Sequence, residues 1–130
     1  MVQGSCNCKS VKFEVIGEVK KVVNCHCNFC RKMNGSAFST YAAVLQSEFR
    51  LVAGKVESYG VSETARKHFC KICGTPIYNT NPKYAGLNIV HIGTLDGASS
   101  YRPDVNIYGE SKVDWLSAIS DIPTFDQGMS

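Results

Sequence analysis

No apolar run in this 130-residue chain approaches the roughly 20 residues that a membrane-crossing helix needs. The opening residues, MVQGSCNCKS, lack the charged-then-apolar profile of a signal peptide. Both absences predict a cytoplasmic protein with no membrane partner, in a compartment where thiols persist and structural disulfides are rare. Charge of one sign is also scarce: 14 Lys and Arg against 11 Asp and Glu leave a net +3. That excess demands no nucleic-acid partner, although it tolerates an anionic ligand, and no recognition helix is visible. Internal repeats, linkers and low-complexity tracts are missing, so the expectation is one domain over residues 1–130. Helix signals are few. NFCRKM (28–33) offers one turn, and SKVDWLSAI (111–119) reads as a short helix or an ordered tail.

What the chain does have is short strands and cysteines. Hydrophobic residues make up 44% and charged residues 19%, a globular balance rather than a disordered one. VKFEVI (11–16) alternates apolar and polar residues, and VKKVVN (19–24) follows as the second arm of a predicted hairpin. AFSTYAAVL (37–45) reads as a strand. FRLVAG (49–54) and KVESYGV (55–61) predict a second hairpin turning near Gly54. RKHFC (66–70) and PIYNT (76–80) flank CKICG as a pair around a metal knuckle, LNIVHIGTL (87–95) is the strongest strand, and VNIYG (105–109) the last. Many short strands punctuated by Gly and Asn predict an all-β sandwich with a small core that a structural metal would help to hold.

The 7 cysteines are odd in number, so they cannot all pair internally. They cluster as Cys6 and Cys8, then Cys25, Cys27 and Cys30, then Cys70 and Cys73. Cys-x-Cys and Cys-x-x-Cys spacings let two thiolates converge on one ion, and thiolate-rich tetrahedral sites favour zinc. Gly74, after the second cysteine of CKICG, suits a backbone that must turn sharply around a metal. Spacing allows two partitions. One joins Cys27 and Cys30 to Cys70 and Cys73, across 39 intervening residues, and leaves three cysteines unexplained. The other joins Cys6 and Cys8 to Cys70 and Cys73 as a closed four-thiolate site and groups Cys25, Cys27 and Cys30 together. The second is favoured because it uses all seven.

GSCNCKSVKFEV, CHCNFCRK, FCKICGTPIY and PDVNIYGESKVDWL stand in an order and spacing that resembles the glutathione-dependent formaldehyde-activating family, over residues 4–116. Residues 117–130 then form a C-terminal tail. The resemblance implies a small zinc-pinned β-sandwich or β-tent. It implies a structural zinc on Cys6, Cys8, Cys70 and Cys73 and a catalytic zinc on Cys25, Cys27 and Cys30. The activity it implies is that of a carbon–sulfur lyase acting on glutathione as co-substrate and formaldehyde or another small aldehyde. Many members carry a His in a P-x-x-H-I motif where this chain has Asn106.

Three thiolates on a divalent zinc leave a fourth position for an outside thiol, which coordination would deprotonate at neutral pH. Arg31 and Lys32 directly follow Cys30. They are candidates to offset the thiolate charge or to meet the carboxylates of glutathione, Arg31 first; the alternative is a solvated charge. His26 lies between two ligand cysteines, where it is either a proton carrier or a side chain directed elsewhere. His91 is expected as a hydrogen-bonded core residue, and His68 as a neighbour of the four-cysteine site. Tyr41, Tyr78 and Trp115 read as core or rim aromatics, and Lys20–Lys21 and Arg66–Lys67 as solvated faces. Two other classes compete with the enzyme: a zinc-stabilised binding module, and a redox protein using the Cys27/Cys30 dithiol. The redox reading suffers because Cys25 crowds the pair and no thioredoxin-like βαβ context surrounds it. Edge strands would support a homodimer.

Overall fold

The computed structural model describes residues 1–129. Ten strands and one α-helix follow in the order β1 (Val2–Ser5), β2 (Lys12–Val15), β3 (Lys21–Cys25), α1 (Asn28–Asn34), β4 (Ser39–Leu45), β5 (Phe49–Ala53), β6 (Val56–Gly60), β7 (Arg66–Cys70), β8 (Pro76–Thr80), β9 (Leu87–His91) and β10 (Val105–Ile107). They form an all-β fold of two open sheets, one with the order β1-β2-β5 and one with the order β10-β3-β4-β9-β8-β7-β6. Every pairing is antiparallel except β10 with β3. Among the described residues no helix is long and apolar enough to cross a membrane.

Period-two alternation decides the layers. Val11, Phe13 and Val15 sit two apart and are almost completely buried, as are Ala42 and Val44 on β4. These residues meet Ile77, Val90 and Leu95 in one core between the sheets. Phe13 stacks on Phe49 at 5.1 Å, and Phe49 packs on Tyr78 at 4.9 Å, so aromatic rings bridge the small sheet to the large one. Each such side chain contributes on the order of 1.5–3 kcal/mol by leaving water. Gly4 is required where β1 crosses this core: a Cβ there would lie 2.3 Å from the Phe13 ring and 2.5 Å from the Thr94 carbonyl.

Both hairpins expected from the sequence are absent. β2 pairs with β1 and β5, whereas β3 pairs with β4 and β10. The link between β2 and β3 changes sheets: Ile16 N–H donates to Glu48 (2.9 Å) and Lys20 N–H to Ala43 (2.8 Å). β5 and β6 likewise part after Gly54, which turns at φ +79°. Alternation tells which residues face a core but not which neighbour completes the ladder. Strand β1 carried no signal in the sequence. The predicted strand 87–95 stops at His91, and Ile92–Thr94 forms a 3-10 turn that returns Leu95 to the core. Segment 28–33 is a seven-residue helix. Segment 111–119 falls on two 3-10 stretches, Gly109–Ser111 and Asp114–Asp121, with Trp115 exposed.

Candidate metal centres

Seven cysteines gather into two groups, one of four and one of three. In each, the sulfurs lie within 4.8 Å of one another. Sulfurs at the corners of a tetrahedron, about 2.3 Å from a central ion, stand about 3.8 Å apart. Cys6 and Cys8 are separated by 3.6 Å, and Cys8 and Cys70 by 3.8 Å. The four-cysteine group therefore has the donor set and the spacing of a closed thiolate site. Two turns build it. In the first, Cys6 N–H donates to Val11, Lys9 takes a left-handed backbone at φ +66°, and Val11 N–H donates to Cys6 Sγ at 3.3 Å. In the second, between β7 and β8, Ile72 and Cys73 N–H both donate to Cys70 Sγ at 3.4 Å, and Gly74 turns at φ +79°. Amides aimed at sulfur favour its ionised form. The Thr75 hydroxyl, 3.1 Å from Cys73 Sγ, leads in lowering that thiol's pKa to about 5. Ser10 Oγ, which sequence reading passed over, lies 3.1 Å from Cys8 and 3.3 Å from Cys70.

Cys25 ends β3, and Cys27 and Cys30 bracket the start of α1. Cys27 is the N-cap: its sulfur accepts Cys30 N–H at 3.3 Å. Cys25 Sγ stands 3.4 Å from both Cys27 and Cys30. The Cys30 thiol directed at Cys25 draws the Cys25 pKa down to about 6, and Cys30 is raised by the same pairing and by burial. The three thiols fit a metal by the chemistry of their donor set and by their convergence. All three line one cavity of about 480 Å³.

That cavity lies on the face of the large sheet away from the core. Lys21, Val23 and Cys25 alternate along one face of β3, and Val23, Tyr41 and His91 are paired in register across β3, β4 and β9. Lys21, four residues from Cys25, is about 13 Å away along the strand. Ala43, Ile89 and Leu87 make the apolar floor, Phe29 and Tyr84 contribute aromatic walls, and Lys83 joins Lys21 as a second cation.

The remaining candidates are dispersed. Arg31 Nη1 donates to the Ser111 carbonyl at 2.9 Å, and Nη2 to Asn28 Oδ1, so the guanidinium ties α1 to the C-terminal segment. Lys32 is exposed. His26 is fully buried against Phe38, with Nε2 3.0 Å from Asn106 Oδ1. Asn106 Oδ1 also accepts from Asn24 at 3.1 Å. His68 stacks on Tyr78 at 4.3 Å and bonds Thr80 at 2.9 Å, instead of packing at the four-cysteine group. Lys67 is only partly solvated: its Nζ donates to the Met33 carbonyl at 2.5 Å, and burial lowers its pKa. Tyr41 is more than a core aromatic. Its hydroxyl donates to Cys30 Sγ at 3.0 Å. Once β3 and β4 are known to pair, strand parity would have found it, because Tyr41 shares a face with Cys25.

His91 is the expected core histidine. Nε2 stands 3.0 Å from Asn79 Oδ1, the ring meets Tyr41 edge-on, and burial lowers its pKa to about 3, with the Lys67 charge helping. The unfolded chain takes up a proton near pH 6.5 that the folded chain refuses. The stabilisation is thus fully present above about pH 6.5 and is lost as pH falls towards 3. His91→Gln is expected to flatten the stability–pH slope between pH 7 and 5.5, where it approaches 1 kcal/mol per unit in order of magnitude. Urea midpoints of the two proteins across that range check it.

Comparison with known proteins adds relatives. A sequence profile of the family described as "Glutathione-dependent formaldehyde-activating enzyme" matches residues 1–111. A putative glutathione-dependent formaldehyde-activating enzyme of Halomonas elongata is 25% identical over 125 residues, covering 89% of this chain and 80% of the relative. An uncharacterized lyase of Schizosaccharomyces pombe is 34% identical over 76 residues, 58% of this chain and 55% of its own. A third relative, from Colletotrichum graminicola and carrying the same description as the first, is 26% identical over 116 residues, 84% of this chain and 61% of its own. The chain thus spans less than two thirds of the latter two. A crystal structure of a Rhodobacter sphaeroides protein superposes with a TM-score of 0.65 at 24% identity, over 80% of this chain and 98% of that one. That likeness establishes the fold.

Proposed function

The chain belongs to the glutathione-dependent formaldehyde-activating enzyme family, and from that premise we propose that it is a zinc-dependent carbon–sulfur lyase. It joins glutathione, or a similar thiol, to formaldehyde or another small aldehyde, and releases it in reverse. The observation that carries this reading is the division of the cysteines. Four form a set of their own, and three line a cavity with no fourth cysteine beside them among the described residues.

Cys6, Cys8, Cys70 and Cys73 would hold a structural zinc ion, and Cys25, Cys27 and Cys30 a catalytic one. A bound zinc ion supplies the Lewis acidity that deprotonates an incoming thiol whose free pKa is roughly 8.5. The protein's part is positioning. Ala43, Ile89 and Leu87 line the Lys21 end of the cavity, beyond the cysteines, and offer an apolar floor to the body of the thiol. Lys21 and Lys83 offer cations to the carboxylates of the thiol, and Arg31 places positive charge on the helix that carries Cys30. The thiolate sulfur attacks the carbonyl carbon, a C–S bond forms, and the C=O π pair moves to oxygen. That oxygen takes a proton from water, and the product is the hemithioacetal. Holding both reactants together converts a two-body encounter into a one-body step.

Metal content and a titration test the proposal. Two zinc ions per chain are expected. Cobalt-substituted protein is expected to change its thiolate–metal absorbance as glutathione is added to millimolar levels. A spectrum indifferent to glutathione would overturn the enzyme reading.

A further inference from the structure

The three cavity cysteines are unequally protected. Cys25 is only 4% exposed, whereas Cys27 and Cys30 are partly open to the cavity. Cys27 Sγ accepts a backbone N–H, that of Cys30. Cys30 cannot be served in the same way. It lies inside α1, where the amides that follow it are committed to carbonyls one turn back. The hydrogen bond that its sulfur does accept comes from a side chain, the Tyr41 hydroxyl at 3.0 Å. Tyr41 is itself held from two sides. Asn34 Nδ2 donates to the Tyr41 oxygen at 3.2 Å and to Ser39 Oγ at 2.7 Å, which leaves the phenolic proton for the sulfur. His91 packs edge-on against the ring at 4.9 Å and is anchored in turn on Asn79.

A site that presents an outside thiolate beside protein thiolates has a selectivity problem. An aldehyde that adds to Cys30 instead forms a C–S bond to the protein, its oxygen takes a proton from water, and the site loses a ligand. A hydrogen bond to a thiolate lone pair weakens that lone pair as a nucleophile and leaves the geometry intact. Resting on the function proposed above, we infer that Tyr41 is a positioning residue that directs the aldehyde to the outside thiol by keeping a hydrogen bond on Cys30, the partly exposed cysteine that no backbone amide protects.

Tyr41→Phe tests this, because it keeps the ring against His91 and deletes only the hydroxyl. Zinc-loaded wild type and variant are treated with iodoacetamide, in which a C–S bond forms and iodide leaves, and each cysteine is quantified by peptide mass. Cys30 is expected to react about fivefold faster or more in the variant, as the loss of one hydrogen bond implies, with buried Cys70 still protected. The sulfur-to-metal absorption of the cobalt-substituted variant is expected to move to longer wavelength, since an unbonded thiolate donates more strongly. Metal-loaded Tyr41→Phe with an unchanged Cys30 rate overturns the inference alone, as does an unmoved absorption band. Wild-type protein that loads no metal on Cys25, Cys27 and Cys30 overturns the proposed function together with it. Should labelling of Cys70 reveal an unfolded Tyr41→Phe, Asn34→Ala decides: it frees the hydroxyl to turn away, so faster Cys30 labelling supports the inference and an unchanged rate overturns it.

Discussion

Cys70→Ser is expected to destabilise the whole fold by several kcal/mol, enough to erase or sharply lower its cooperative thermal transition. Cys70 is 1% exposed, ends β7 and belongs to the core that joins the two sheets. Its sulfur accepts two backbone amides and stands 3.8 Å from Cys8. A metal held there would tie the N-terminal loop to the β7–β8 turn, 62 residues away in sequence. Closing so long a loop is worth more than any single contact in so small a core. Structural zinc sites supply about 10–16 kcal/mol in isolated peptides, so losing one of four ligands leaves a large deficit. The serine oxygen is a poorer zinc ligand than a thiolate and would stand in the buried position. Thermal melts followed by circular dichroism check the expectation, with chelator-treated wild type as the reference. A Cys70→Ser protein as stable as wild type would contradict the structural role of the four-cysteine group.

The opposite behaviour is expected of Cys27→Ala. The variant stays folded but loses thiol binding, and its turnover falls more than about 100-fold, beyond what changes in the groups behind metal ligands cost. Cys27 is half-buried at the start of a two-turn helix and on the wall of the cavity. Its cap on Cys30 N–H is worth about 1 kcal/mol, so the fold survives the loss. Glutathione titration of the cobalt-substituted variant, alongside its melting curve, separates the two effects. Equal unfolding by Cys27→Ala and Cys70→Ser would collapse the distinction between the two cysteine groups.

Much of this was legible in one dimension. Cysteine spacing offered these two groups as the favoured of two partitions, and Gly74 suits the turn that CKICG needs. The alternation in VKFEVI and the strand reading of AFSTYAAVL located β2 and β4, on which Phe13, Val15, Ala42 and Val44 are buried. What failed was pairing. β2 and β3, and β5 and β6, are neighbours in sequence and strangers in the sheets, because each short link carries the chain from one sheet to the other. Lys67 failed for a related reason. An Arg–Lys pair looks solvated until the helix end that accepts the lysine is known to lie over β7.

The sequence by itself determined the three local cysteine clusters, Cys6 and Cys8, Cys25, Cys27 and Cys30, and Cys70 and Cys73, together with the all-β class. Both depend on local facts: the short reach of a Cys-x-x-Cys turn, and the side to which alternate residues of a strand point. The tertiary structure alone decided that Tyr41, eleven residues beyond Cys30, meets its sulfur, and that Lys21 and Lys83 rim the same cavity. Those meetings depend on strand register and sheet order. Long-range packing of the whole chain sets both, and no local stretch of residues encodes them.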